Sequence, residues 1–222
     1  MRVAIFGASG RTGRPLVEQA LAAGHEVRVL VRDPSKFPIR HGRLAVVRGD
    51  VLDAANVDEA VAGTDAVLSA LGHTKTSPKD VQTRGTENIV AAMERHGVRR
   101  FVSLTGAGVR DPRDEPKLAD LAITFLLERL QPDALQDGVR HSEVIKWSGL
   151  DWVIVRGPRL TEGPKKGEYR VGRVGISGGE GRQEQRDPDL PRRPGGVYAR
   201  ATDHGHAPAT DADGQLLGRE RR

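Results

Sequence analysis

The stretch Val3-Ala4-Ile5-Phe6-Gly7-Ala8-Ser9-Gly10-Arg11-Thr12-Gly13 decides the fold. A short apolar strand runs directly into a glycine-spaced turn, and from Pro15 a helical pattern begins. Gly7 lets the chain turn off the strand. Gly10 presents backbone with no side chain to an approaching anion, and Gly13 lets helix and sheet pack closely. The loop and first helical turn, Gly7, Ser9, Gly10, Arg11, Thr12 and Gly13, then offer amides to a pyrophosphate, aided by the helix dipole. Three glycines alone are weak evidence, since a plain tight turn has them too. Set between a buried strand and a helix, they specify a dinucleotide site.

The end of the next strand, Val31-Arg32-Asp33-Pro34-Ser35-Lys36, selects the dinucleotide. An NAD site carries an acidic residue there, bonded to the ribose 2′-hydroxyl. Arg32 occupies the place instead, with a guanidinium suited to stack on adenine and to grip a 2′-phosphate with two prongs. Lys36 and Arg11 add positive field. NADP(H) is the expected cofactor, with NAD(H) the alternative because Asp33 follows at once and can serve a ribose. Later strand ends supply the rest of one crevice. Asp50 and Val51 stand where adenine would lie, and Ala70, Leu71 and Gly72 beside the cofactor's middle. Thr105, Gly106 and Ala107 fall at the nicotinamide end.

Working outward, apolar runs at 3–6, 27–31, 44–47, 66–69, 101–104 and 152–155 alternate with helical patterns at 15–23, 57–62, 81–96, 119–130 and 143–147. Strand, helix, strand in this order means parallel strands joined by right-handed crossovers, an α/β doubly wound sheet in a single domain. The chain of 222 residues has no cysteine, which excludes disulfides, thiolate metal sites and a Cys nucleophile. No apolar run is long enough for a membrane span. The strand pattern opens within two residues of Met1, leaving no room for a signal peptide, so a soluble cytoplasmic protein is expected. The net charge of +5 is spread among interleaved acids and bases. With four Phe, two Trp and two Tyr there are too few rings for a nucleic-acid stacking platform. The expected partner is a small-molecule electron acceptor, with no nucleic acid and no membrane, on a monomer or weak homodimer. His141, with no second His at ligand spacing, reads as a solvated helix residue rather than a metal ligand.

Several segments resemble the atypical short-chain dehydrogenase/reductase group, in its NmrA-like branch, and within it the biliverdin-IXβ/flavin reductases. They are Val3 to Gly10, Val29-Leu30-Val31-Arg32-Asp33, Val47-Arg48-Gly49-Asp50-Val51-Leu52, Val61 to Val67, Asn88-Ile89-Val90-Ala91-Ala92-Met93, Ser148-Gly149-Leu150-Asp151-Trp152 and Arg156-Gly157-Pro158. The resemblance covers residues 1–172. It implies a Rossmann-like fold, bound NADP(H), and hydride transfer to a flavin, quinone-like or tetrapyrrole acceptor. Pro158 would lie against the nicotinamide, and the catalytic candidates are Thr105 and Arg159.

The departures narrow this expectation. The Tyr-x-x-x-Lys dyad of short-chain dehydrogenases is missing, since the only tyrosines, Tyr169 and Tyr198, have no Lys four residues on. Where the reductases tend to carry a Ser and a His, this chain has Gly106 and Arg159. A guanidinium keeps its proton, so Arg159 can orient an anion but cannot act as a general acid. Flavin or quinone reduction asks less of the protein than tetrapyrrole reduction, because solvent can protonate the reduced ring. The alternative is an NADP-binding regulatory or redox-sensor protein of NmrA type without catalysis.

From Gly172 onward the pattern stops. Residues 173–222 are filled by Arg, Asp, Gly and Pro and read as a disordered tail, too poor in apolar surface to offset ordering entropy. Synonymous codons for Asp187 to Ala209 exist for which the frame one nucleotide downstream reads Ile-Arg-Ile-Ser-Arg-Ala-Asp-Leu, the start of an amphipathic helix. A single-base frameshift near residues 183–186 is therefore a hypothesis for the tail, and resequencing the coding DNA decides it.

Overall fold

The computed structural model describes residues 1–106, 108–110, 114, 116 and 118–157. In chain order they form β1 (Arg2–Phe6), α1 (Gly13–Ala22), β2 (Glu26–Val31), β3 (Leu44–Arg48), α2 (Ala54–Val61) and β4 (Ala66–Ser69). Then come α3 (Val81–Arg95), β5 (Arg100–Gly106), α4 (Leu118–Leu130), α5 (Pro132–Trp147) and β6 (Asp151–Gly157). The six strands make one sheet in the order β3-β2-β1-β4-β5-β6, and all five pairings are parallel. This is the expected Rossmann-like doubly wound sheet. Its strand order reverses between β1 and β4, and the crevice at that switch is where ligands bind in such folds.

The central strands are continuous apolar runs because helices cover both of their faces. Val3, Ile5, Leu16, Val17, Leu21, Val29 and Leu68 form the core on the α1 side. Ala4, Phe6, Val57, Ile89, Met93, Phe101 and Ile145 form the core under α2, α3 and α5. In α1 the buried residues are Gly13, Leu16, Val17, Ala20 and Leu21, at helical spacing, and Gly24 follows the helix with φ +90°. A cap on α2 is local: the Asp53 carboxylate accepts from the amides of Ala55 at 2.9 Å and Asn56 at 3.4 Å.

Two sequence expectations are corrected. The helix placed at 143–147 starts at Pro132, whose fixed φ suits a first helical position. The apolar period misses its first turns because the buried face there is polar: Asp137, Gly138, His141 and Ser142. For the same reason His141 is no solvated residue. It lies mid-helix, 1% exposed. Ala107, Pro158, Arg159, the domain limit at 172 and the tail 173–222 fall outside the described residues.

Candidate functional site: the crevice at the strand carboxyl ends

The glycine turn is held by sterics on one side and left open on the other. Gly7 has φ +74°, and a Cβ there would lie 2.4 Å from the Ala70 carbonyl oxygen. A Cβ at Gly13 would sit 2.0 Å from the Gly7 oxygen, so α1 docks on the turn only through glycine. Gly10 differs. Among the described residues its Cβ would approach only the Gly7 oxygen, at 3.2 Å, and the residue is exposed. Its amide donates to Gly7 at 3.0 Å, closing the turn. Thr12 takes the N-cap position of α1 and makes no side-chain cap. No side chain therefore caps the helix start, where the Arg14 amide alone is turned back to the Gly10 carbonyl, at 3.1 Å, and an uncapped start is the arrangement that receives an anion. Ser9 and Arg11 are exposed on the same turn.

At the tip of β2, Arg32 is exposed and forms no hydrogen bond or ion pair with any described residue. Asp33 is differently placed. Its carboxylate accepts from the Ser35 amide at 3.1 Å and the Ser35 hydroxyl at 2.6 Å, and pairs with Lys36 at 2.9 Å. The Ser35 hydrogen bond and then Lys36 lower its pKa to about 2. The acid that would serve a ribose is thus engaged in capping a 3₁₀ turn at Pro34–Lys36. The Lys36 ammonium is turned toward this acid, and Arg32 stands at the strand tip without a partner.

Asp50 accepts from the Leu52 amide at 3.0 Å through one oxygen, in an Asx turn. The Val51 carbonyl takes the Asn88 amide at 2.9 Å. Val51 and Leu71 both lie against α3 at Gly85, where a Cβ would meet Val51 at 3.0 Å and Leu71 at 3.1 Å. The structure therefore brings the ends of β3 and β4 together through one helix. Ala70 is bonded to Phe6 at 3.0 Å and abuts Gly7. Among the described residues, a Cβ on Gly72 or Gly106 would find no atom within 4 Å. Gly106 is in register with Gly157, which leaves the tips of β5 and β6 bare side by side.

Thr105 is 5% exposed, and its hydroxyl has no hydrogen-bond partner among the described residues. Among the described residues no backbone group bonds this strand-end hydroxyl. Across from it lies Gly138 of α5, whose Cβ position would be 3.2 Å from the Thr105 Oγ1.

Sequence reasoning missed a polar cluster beneath these strand ends. His141 Nδ1 lies 2.7 Å from the Thr86 hydroxyl and Nε2 lies 3.3 Å from the Ser103 hydroxyl. Burial pushes its pKa down to about 4, against the opposing pull of Asp137. The ring is neutral, with one nitrogen donating and one accepting between two hydroxyls that can do either. Asp137 in turn contacts α3 and His73. The available signal was the i,i+4 spacing of Asp137 and His141 facing that of Gln82 and Thr86, but it is visible only once the helices are known to be neighbours.

Among the described residues no helix is long and apolar enough to cross a membrane, and no His, Cys, Asp and Glu cluster is fit for a metal. The fit to a dinucleotide rests on a cradle that a Cβ would fill, an uncapped helix start and an orphaned buried hydroxyl.

Comparison with known proteins agrees. Residues 7–187 match a protein family described as NAD(P)H-binding. An uncharacterized chloroplastic protein of Arabidopsis thaliana is 31% identical over 175 residues, covering 75% of this chain and 61% of that one. A (4-alkanoyl-5-oxo-2,5-dihydrofuran-3-yl)methyl phosphate reductase of Streptomyces griseus is 29% identical over 154 residues, or 69% of this chain and 46% of the reductase. A 3-beta-hydroxysteroid dehydrogenase of Mycolicibacterium neoaurum is 37% identical over 113 residues, 46% of this chain and 31% of the enzyme. The chain thus spans less than two thirds of these curated relatives. Among solved structures, a Lactococcus lactis oxidoreductase superposes with TM-score 0.63 at 21% identity, covering 75% of this chain and 73% of that one. A short-chain dehydrogenase/reductase of Veillonella parvula in complex with NADP gives TM-score 0.58 at 21% identity, covering 70% and 68%. These two likenesses establish the fold. With the family match running over most of the sequence and the glycine turn opening that match, this chain belongs to the NAD(P)H-binding family, and NAD(P)H is its cofactor.

Proposed function

We propose that the protein is an NADPH-dependent reductase that passes hydride to a flavin or quinone-like acceptor. The observation that carries this reading is the buried, unpaired Thr105 hydroxyl at the carboxyl end of β5, beside the bare tips of β5 and β6 and in a chain without a Tyr-x-x-x-Lys dyad. A buried hydroxyl left unpaired costs about 1–3 kcal/mol, a cost that a carbonyl or amide reaching it would remove. The resemblance to the biliverdin-IXβ/flavin reductases and the likeness to the Streptomyces griseus reductase are compatible with reduction.

In this reading the residues divide the work by position. Gly7, Ser9, Gly10, Arg11, Thr12 and Gly13 hold the pyrophosphate. Arg32, with Lys36 nearby, takes the 2′-phosphate. Asp50 and Val51 flank the adenine, and Ala70, Leu71 and Gly72 border the middle of the cofactor. Thr105 and Gly106 stand at the reacting end, where Pro158 and Arg159 follow β6 in sequence. Bound NADPH supplies the hydride. Thr105 orients the group that accepts it, and the neutral His141 beneath keeps β5 in place without a charge. Solvent supplies the proton that completes reduction of the acceptor.

The test is oxidation of NADPH by the full chain with FMN, a quinone or biliverdin as acceptor. Turnover with FMN or the quinone is expected. Tight NADPH binding with no acceptor-dependent oxidation would overturn the reductase reading in favour of an NADP-responsive regulatory protein.

A further inference from the structure

Helix α3 begins at Val81 behind Asp80, a residue type well suited to cap it locally, yet Asp80 makes no side-chain cap. The cap comes from α5. The Asp137 carboxylate accepts from the Gln82 amide at 2.8 Å, the Thr83 amide at 2.9 Å and the Thr83 hydroxyl at 2.5 Å. Its side chain is only 2% exposed and also lies 3.1 Å from His73 Nε2. The Gln82 side-chain amide donates to His73 Nδ1 at 3.2 Å, so Nε2 carries a proton. That N–H serves both Asp137 and the Lys79 carbonyl, the latter at 3.0 Å, closing the 73–79 loop on itself.

The placement of this carboxylate joins the two edges of the crevice. His73 follows Gly72, the open glycine at the end of β4. Gly138 follows Asp137 and lies over the Thr105 hydroxyl. One buried side chain thus fixes the start of α3 and the loop leaving Gly72 on one side, and the turn of α5 that faces Thr105 on the other. A buried carboxylate loses stability with each donor taken away, and four donors converging on one side chain restrict its geometry. A local cap from Asp80 would hold α3 as well but would tie it to nothing.

We propose that Asp137 is a positioning residue that sets Gly72 and Thr105 in one fixed relation, His73 being the side chain through which it holds the cofactor edge. This rests on the reductase reading for its Thr105 half alone. The experiment uses the full chain and measures NADPH affinity by cofactor fluorescence and single-turnover oxidation of bound NADPH by FMN. In Asp137→Asn, which keeps the shape but sets an N–H against donors, the NADPH dissociation constant rises about tenfold and the rate at saturating NADPH falls by a similar factor. His73→Ala leaves the three bonds from α3 to Asp137 intact and so keeps the fold. In that variant NADPH affinity falls by about threefold while the rate at saturation holds.

Variants that melt earlier yet bind and oxidise NADPH as the wild type does would reduce the cluster to a helix cap and overturn the proposal. Should the wild type bind NADPH but pass hydride to no acceptor, the reductase reading falls separately. The affinities then decide, with weakening in both variants upholding the cofactor edge and no change overturning it.

Discussion

His141 is a buried base that the fold holds neutral, and its replacement by Gln isolates what that contributes to stability. The imidazole, held between Thr86 and Ser103, has its pKa lowered from 6.5 to about 4, with burial the first cause. In the unfolded chain it takes up its proton near the ordinary value. Between these two values the unfolded state binds more protons than the folded one, so stability rises with pH. The contribution is therefore complete above the unfolded pKa and is lost as pH falls toward the folded one. From about pH 7.5 to about pH 5 the loss amounts to roughly 2 kcal/mol. Urea titrations at the two pH values read this as a midpoint lower by about 1 M at the acid end. His141→Gln keeps a neutral group between the same hydroxyls but has nothing to titrate. Its midpoint should be lower than wild type at neutral pH and nearly flat across the interval. An identical pH slope in both proteins would show that the ring is already solvated or charged in the fold and would refute the reasoning.

Other expectations follow from the crevice. Thr105→Val removes a buried hydroxyl with no partner, so it should raise stability by about 1 kcal/mol in thermal melts while slowing acceptor reduction at least about tenfold; a slower enzyme with reduced stability would contradict this. Arg32→Ala should weaken NADPH binding by roughly 10–100-fold and leave NADH nearly unchanged, and equal losses for both would remove the 2′-phosphate from its role. Gly13→Ala places a Cβ 2.0 Å from the Gly7 oxygen and should forfeit both stability and NADPH binding. Gly106→Ala meets no atom of the described residues within 4 Å, so its melting temperature should match wild type while turnover falls, and calorimetry with a rate assay distinguishes the pair.

The sequence alone determined the architecture and the glycine turn at the crevice, because both are local. Apolar runs of strand length alternating with helical periods dictate parallel crossovers, and the three glycines from Gly7 to Gly13 act within one turn. Arg32 could be placed at a strand tip for the same reason, since a strand and the residue after it are neighbours in sequence. What only the tertiary structure decided lies where buried residues are polar. Asp137 and His141 look like surface residues in a string, because periodicity counts hydrophobic groups and cannot see a carboxylate or imidazole satisfied by partners 55 and 38 residues away in the chain. The same blindness hid the first turns of α5 and the partnerless state of the Thr105 hydroxyl. Hydrogen-bond accounting is a property of three-dimensional neighbours, so the buried polar groups around the end of β5 became legible only after α3, α5 and β5 had been brought together.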